Sequence, residues 1–80
     1  MYFVYIIQSL KDGSYYVGQT KDIERRLEKH NKANSGYTAT KKPWKLVYSE
    51  EFRTRTEAIK RERFLKAQKS KEFIERLISK

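Results

Sequence analysis

Eighty residues, a net charge of +9 and no cysteine describe one small domain with a modest core. That composition excludes disulfides and thiolate metal sites, and no apolar run is long enough to span a membrane. The charge is uneven, with nine Lys/Arg against six acids over residues 1–52 and ten against four over residues 53–80. Such an excess attracts polyanions, nucleic acid first, although it also serves plain solubility.

The chain enters strand pattern at Tyr2 without the charged head and cleavage site of a signal peptide, so the cytoplasm is the expected location. Residues 2–19 read as a β-hairpin. Two runs rich in aromatic and β-branched residues, YFVYIIQS and SYYVGQ, flank Asp12-Gly13, a pair suited to a two-residue turn. That turn sets Ser9 opposite Tyr16, Ile7 opposite Gly18 and Tyr5 opposite Thr20. Alternation along the strands then puts Tyr5, Ile7, Tyr16, Gly18 and Thr20 on one sheet face. Two phenols point the same way with a bare glycine between Tyr16 and Thr20, and glycine inside a strand marks close approach of a ligand or another backbone. A one-residue slip would separate the tyrosines.

Thr20 or Asp22 caps a helix whose Ile23, Leu27 and His30 recur at helical spacing and which ends at Asn34-Ser35-Gly36. Arg26 borders that stripe, one turn from His30. Residues 35–43 form a polar loop closed by Pro43. WKLVYSEEF reads as a third strand, with Trp44, Leu46, Tyr48 and Glu50 on one face and Lys45, Val47, Ser49 and Glu51 on the other. Its pairing direction is not fixed by loop length. Thr54 to Glu57 is a capping box opening a helix with Ala58, Ile59 and Leu65 on one stripe. Ser70 caps a last helix that presents Phe73, Ile74, Leu77 and Ile78. The order is β-β-α-β-α-α, an α+β layout with a small sheet covered by helices.

Three features do not suit a plain core. Glu62 sits in the middle of an apolar stripe, where a carboxylate is costly unless paired or bound to a cation. It reads either as a buried partner for an arginine or an edge residue reaching solvent, or as a ligand for a hard cation such as Mg²⁺, which often takes one or two carboxylates plus phosphate oxygens and water. Arg26 and His30 read either as a snorkelling cation and a hydrogen-bonded helix-edge histidine, or as a phosphate clamp beside a proton carrier. Of six tyrosines, only Tyr5 and Tyr16 fall on the glycine-bearing face. A single histidine and no cysteine exclude zinc sites built from those ligands, and neither G-x-S-x-G nor a phosphate-binding glycine-rich loop is present.

Tyr5 in FVYII, then Tyr16-Val17-Gly18, then Arg26 and His30 in TKDIERRLEKHN, then Glu62 in EAIKRERFLKAQKSKEFIERL, together resemble the GIY-YIG nuclease superfamily, in its small stand-alone UPF0213 or YhbQ-like branch. The resemblance covers essentially the whole chain as a single domain, residues 1–80. Two positions depart from it: Phe3 stands where the name's first glycine would be, and no asparagine follows Asn34, whereas many catalytic members carry one beyond the glutamate.

The resemblance implies a three-stranded antiparallel sheet flanked by helices and a metal-dependent nuclease that hydrolyses DNA phosphodiesters. Such an enzyme is structure- or end-directed and serves DNA repair or processing. Tyr5, Tyr16, Arg26, His30 and Glu62 are its expected catalytic residues, and Gly18 is structural at the site. Glu62 is the ligand of one Mg²⁺ or Mn²⁺ ion, held weakly without substrate. Lys41, Lys42, Arg63 and Lys66 are the expected backbone-tracking cations. DNA, with RNA as the alternative, is the expected partner of a monomer that has no membrane or protein partner. Two other readings compete: a nucleic-acid-binding domain that no longer cuts, and a protein-interaction module.

Overall fold

A computed structural model describes residues 1–68 and 70–79. The hairpin pairs β1 (Tyr2–Ser9) with β2 (Tyr15–Thr20), antiparallel. Its turn is longer than Asp12-Gly13 suggests. Ser9 N–H donates to the Ser14 carbonyl at 2.8 Å and Gly13 N–H to the Ser9 carbonyl at 3.0 Å, so the loop is Leu10–Gly13. The cause is the buried Ser9 hydroxyl. It accepts from Lys11 N–H at 3.0 Å and Asp12 N–H at 3.2 Å, and donates to the Lys41 carbonyl at 2.6 Å. Gly13 takes the left-handed conformation, φ +79°, that closes the loop.

The register therefore slides by two residues: Tyr5 faces Gly18 and Ile7 faces Tyr16, where a two-residue turn would set them opposite Thr20 and Gly18. An even slip keeps every side chain on its face, and the grouping of Tyr5, Ile7, Tyr16, Gly18 and Thr20 survives.

α1 (Ile23–Lys32) starts at Asp22, whose carboxylate accepts Arg25 N–H at 3.1 Å; Thr20 instead accepts Asp22 N–H at 3.2 Å. The stretch expected as loop contains a short helix, α2 (Tyr37–Lys41), so the order becomes β-β-α-α-β-α-α. β3 (Trp44–Phe52) pairs antiparallel with β1, which places β1 in the middle of the order β2-β1-β3. Its faces are not the simple alternation expected. Ile7 pairs with Leu46 but Ile6 pairs with Tyr48, leaving Val47 as the extra residue of a bulge. Trp44 therefore packs with Tyr5 and Ile7, while Val47 and Tyr48 both join the opposite core.

α3 (Arg55–Ala67) opens with the full capping box: Thr54 accepts Glu57 N–H at 3.2 Å and Glu57 accepts Thr54 N–H at 3.3 Å. α4 (Lys71–Ile78) is capped by Ser70, which accepts Phe73 N–H at 3.2 Å. Each such cap stabilises its helix by about 1 kcal/mol.

The sheet thus lies between two apolar layers. On one face Val4, Ile6 and Val17 pack with Ala58 and Leu65 of α3 and Ile74 of α4, joined by Phe73, Leu77 and Ile78. On the other, Tyr5, Ile7 and Trp44 pack with Tyr16 and with Ile23 and Leu27 of α1. Asn31 ties α1 to the start of β3, accepting Trp44 N–H at 2.6 Å and donating to the Trp44 carbonyl at 3.1 Å.

Candidate active site

The site is built around Gly18, midway along β2. Tyr5 stands opposite it across the ladder and its ring lies over the glycine. A Cβ at Gly18 would meet Tyr5 Cζ at 2.6 Å and the phenolic oxygen closer still. The glycine is there because no other residue leaves room for that ring.

Tyr5 is 2% exposed. Its hydroxyl is 2.9 Å from Nε2 of His30, which is itself buried. Burial, followed by the charge of Tyr16, pushes the Tyr5 phenol well above its ordinary range; Glu62 adds to the rise and Arg26 opposes it. His30 is pushed the other way, below the ordinary histidine range, by burial and by the cations Arg26 and Lys29. Both groups are therefore neutral near pH 7. The phenol is the more acidic of the two, so the stronger form of the bond has Tyr5 O–H donating to Nε2. Tyr16 sets its ring edge-on to His30, centroids 5.0 Å apart, and locks the imidazole from the other side.

Arg26, one turn before His30 on α1, is half-buried. Glu62 comes from α3, its side chain 19% exposed, and holds the Lys66 ammonium at 3.0 Å. Lys66 in turn stands 5.9 Å from the Tyr16 ring centre. Glu62 therefore does not pair with a remote arginine. Arg61 takes that role for a different carboxylate, giving Glu50 two bonds of 2.8 and 3.0 Å while Tyr48 O–H also donates to Glu50.

Tyr5 and Tyr16 both meet His30, Glu62 reaches Tyr16 only through Lys66, and Arg26 opens on a separate groove. Arg26 lines a groove of about 780 Å³ that takes in Gln19 and Thr20 at the end of β2. Tyr16 and Lys66 line a cleft of about 410 Å³ that takes in Tyr15 and Val17. Gly18, beneath Tyr5, lies between the two. The cleft also carries Tyr37, 52% exposed and stacked on Tyr16 with centroids 6.3 Å apart. Tyr37 falls in the stretch expected as loop, and helix α2 brings it onto Tyr16.

The four cations expected to track a backbone are differently placed. Lys41 pairs with Asp12, donates to Ser14 Oγ at 3.3 Å and lies 5.4 Å from the Tyr37 ring centre. Lys42 donates to the Ala33 carbonyl at the end of α1, at 2.9 Å. Lys66 is engaged by Glu62, and Arg63 is exposed on α3.

A hard cation fits this donor set. Glu62 is a mostly buried carboxylate whose only charged partner is a lysine, and no cluster of three or more His, Cys, Asp or Glu occurs among the described residues. One carboxylate supplemented by phosphate oxygens and water is the way Mg²⁺ is commonly held, and it does not suit zinc.

Comparison with known proteins gives a consistent picture. Residues 1–75 match the family model described as the GIY-YIG catalytic domain. A UPF0213 protein of Staphylococcus saprophyticus is 48% identical over 62 residues, 76% of this chain and 74% of that protein. A UPF0213 protein of Staphylococcus aureus is 47% identical over the same length and shares. The solution NMR structure of a UPF0213 protein from Bacillus halodurans superposes with a TM-score of 0.61 at 37% identity, covering 99% of this chain and 84% of that one.

Proposed function

The chain belongs to the GIY-YIG family, in its UPF0213 branch, and from that premise we propose that it is a divalent-metal-dependent phosphodiesterase acting on DNA. The observation that carries this reading is the Tyr5–His30 pair. A phenol is held 2.9 Å from a neutral imidazole, beside an arginine and a carboxylate from two different helices.

A phenol so buried is not a free phenolate, so it acts by passing a proton through. Water attacks the phosphorus and gives a proton to the Tyr5 oxygen as Tyr5 gives its own to Nε2 of His30. The bond from phosphorus to the leaving sugar oxygen breaks, and that oxygen departs with a proton from solvent. Arg26 forks onto a non-bridging oxygen and stabilises the charge that grows there. Tyr16 orients the phosphate and keeps His30 in place. Glu62 would hold the cation, which when bound supplies neutralising charge at the scissile phosphate and at the leaving oxygen. Lys66 must leave Glu62 for that to happen, and the phosphate is its natural new partner. The expected substrates are DNA ends and branched, nicked or single-stranded DNA, such as repair and processing generate.

The test is a panel of such DNAs with Mg²⁺ or Mn²⁺, alongside Glu62→Ala. Cleavage by the wild type that is lost in the variant and in chelator supports the proposal. One observation favours a second reading, a nucleic-acid-binding domain that does not cut: Lys66 already occupies Glu62, the carboxylate the cation would use. Retarded but intact DNA across the panel, with either metal, would establish that reading instead.

A further inference from the structure

The 780 Å³ groove beside Arg26 contributes only that arginine to the proposed hydrolytic step. Its walls carry six cationic side chains against two carboxylates. Asp22 caps α1, and Glu28 pairs with one of the six, Lys32, at 2.6 Å. Lys21, Arg25, Arg26, Lys29 and Arg55 have no carboxylate within 4.0 Å among the described residues. Three of them follow one another along α1, and Arg25 and Lys29, four apart, repel. Lys21 comes from the turn before α1 and Arg55 from the first turn of α3. Chain segments far apart in sequence thus bring unpaired positive charge to one concavity. Such a concentration opposes folding by self-repulsion and is relieved by a polyanion.

The shape of the charge also points to its occupant. Arg26 belongs both to the groove and to the site, so a chain of phosphates lying in the groove would lead to the scissile one. Tyr2 is the groove's one aromatic side chain, and Lys21 covers its ring at 5.2 Å. With no open ring to stack bases, the groove suits the backbone and not base edges. Of the cations expected from the sequence, Lys41 and Lys42 are held by Asp12 and the Ala33 carbonyl, Arg63 is exposed on α3 outside the groove, and Lys66 belongs to the cleft beside Tyr16.

We propose that a DNA backbone reaches the site along this groove, its phosphates held by Lys21, Arg25, Lys29 and Arg55 on the way to Arg26, and not across Lys41 and Lys42. The inference rests on the phosphodiesterase reading for its ligand but not for the chemistry. Binding without divalent metal therefore tests it separately from cutting.

The experiment measures the affinity of a fluorescein-labelled DNA by anisotropy over a range of salt for three proteins. These are the wild type, Arg25→Gln/Lys29→Gln/Arg55→Gln, and Lys45→Gln/Lys60→Gln/Arg76→Gln. The last removes the same three charges from exposed positions outside the groove. Circular dichroism establishes that all three are folded. The groove variant is expected to bind roughly 10- to 100-fold more weakly at moderate salt, with the slope of log affinity against log salt reduced by about 2 to 3. The control should stay within about threefold of wild type. Equal losses in the two variants, or wild-type affinity and slope in the groove variant, overturn the groove assignment and leave the nuclease reading standing. A wild type that binds no DNA overturns both. Binding that follows the expected pattern without any cleavage upholds the groove and refutes the hydrolysis.

Discussion

Two clusters in this molecule use the same ingredients, a tyrosine, a glutamate and an arginine, to opposite ends. On the α3 side of the sheet, Tyr48 and Arg61 both donate to Glu50, and the arginine does so with two nitrogens. Charge cancels charge, and the carboxylate is held by three donors. Around Gly18 the corresponding groups are held apart. Tyr5 bonds a neutral histidine, Arg26 has no carboxylate among the described residues, and Glu62 holds a lysine whose side chain is 52% exposed and free to move. The first arrangement stabilises the fold. The second leaves charge and hydrogen-bonding capacity uncommitted, as the proposed hydrolysis requires.

The contrast can be broken by substitution, and the largest expected effect is at Arg26. Arg26→Ala should lower single-turnover cleavage roughly 10²- to 10³-fold with the melting temperature little changed, because it removes charge stabilisation and not a structural pair. Glu50→Ala should do the reverse. Arg61 and Tyr48 lose their partner in a partly buried setting, so chemical denaturation should show a loss of about 1–3 kcal/mol while the folded fraction cleaves normally. Gly18→Ala joins the two regions. Its Cβ would stand 2.6 Å from Tyr5 Cζ, so the ring or the strand must move. That overpacking should destabilise by about 1–3 kcal/mol and also slow cleavage by dislodging the phenol from His30.

The smallest effect is on pH dependence. His30 is held below its ordinary range, so the unfolded chain takes up this proton before the folded one. Stability from this group is complete above about pH 6.5 and declines as pH falls below it. The same protonation removes the acceptor for the Tyr5 proton, so the acid limb of the cleavage profile should also lie below about pH 6.5. His30→Gln should flatten both, measured as melting temperature and single-turnover rate against pH.

Much of this was legible in the chain itself, and what was not had local causes. The hairpin's faces followed from alternation, and they survived because the turn error was even. The error came from Ser9: a hydroxyl that bonds three backbone groups rebuilds the loop, and its burial depends on Lys41, 32 residues away. The bulge at Val47 has no pattern to announce it, since a β-branched residue suits either face. α2 lies in a stretch of small and β-branched residues after a glycine with φ +88°, and its Tyr37 packs on Tyr16, which no local rule foresees. Glu62 was readable as an exception to its stripe. That Glu50 takes Arg61 was not, because the pair joins β3 to α3 and depends on how the two elements pack.

The central claim is that Tyr5 carries the proton of the attacking water to His30, while its counterpart Tyr48 only supports the fold. Single-turnover cleavage by Tyr5→Phe and Tyr48→Phe, under saturating Mg²⁺ at pH 7.5, tests it directly. Tyr5→Phe should fall roughly 10²- to 10⁴-fold, the usual worth of a positioned general base, with DNA affinity unchanged, and Tyr48→Phe should match wild type. Wild-type cleavage by Tyr5→Phe would contradict the account.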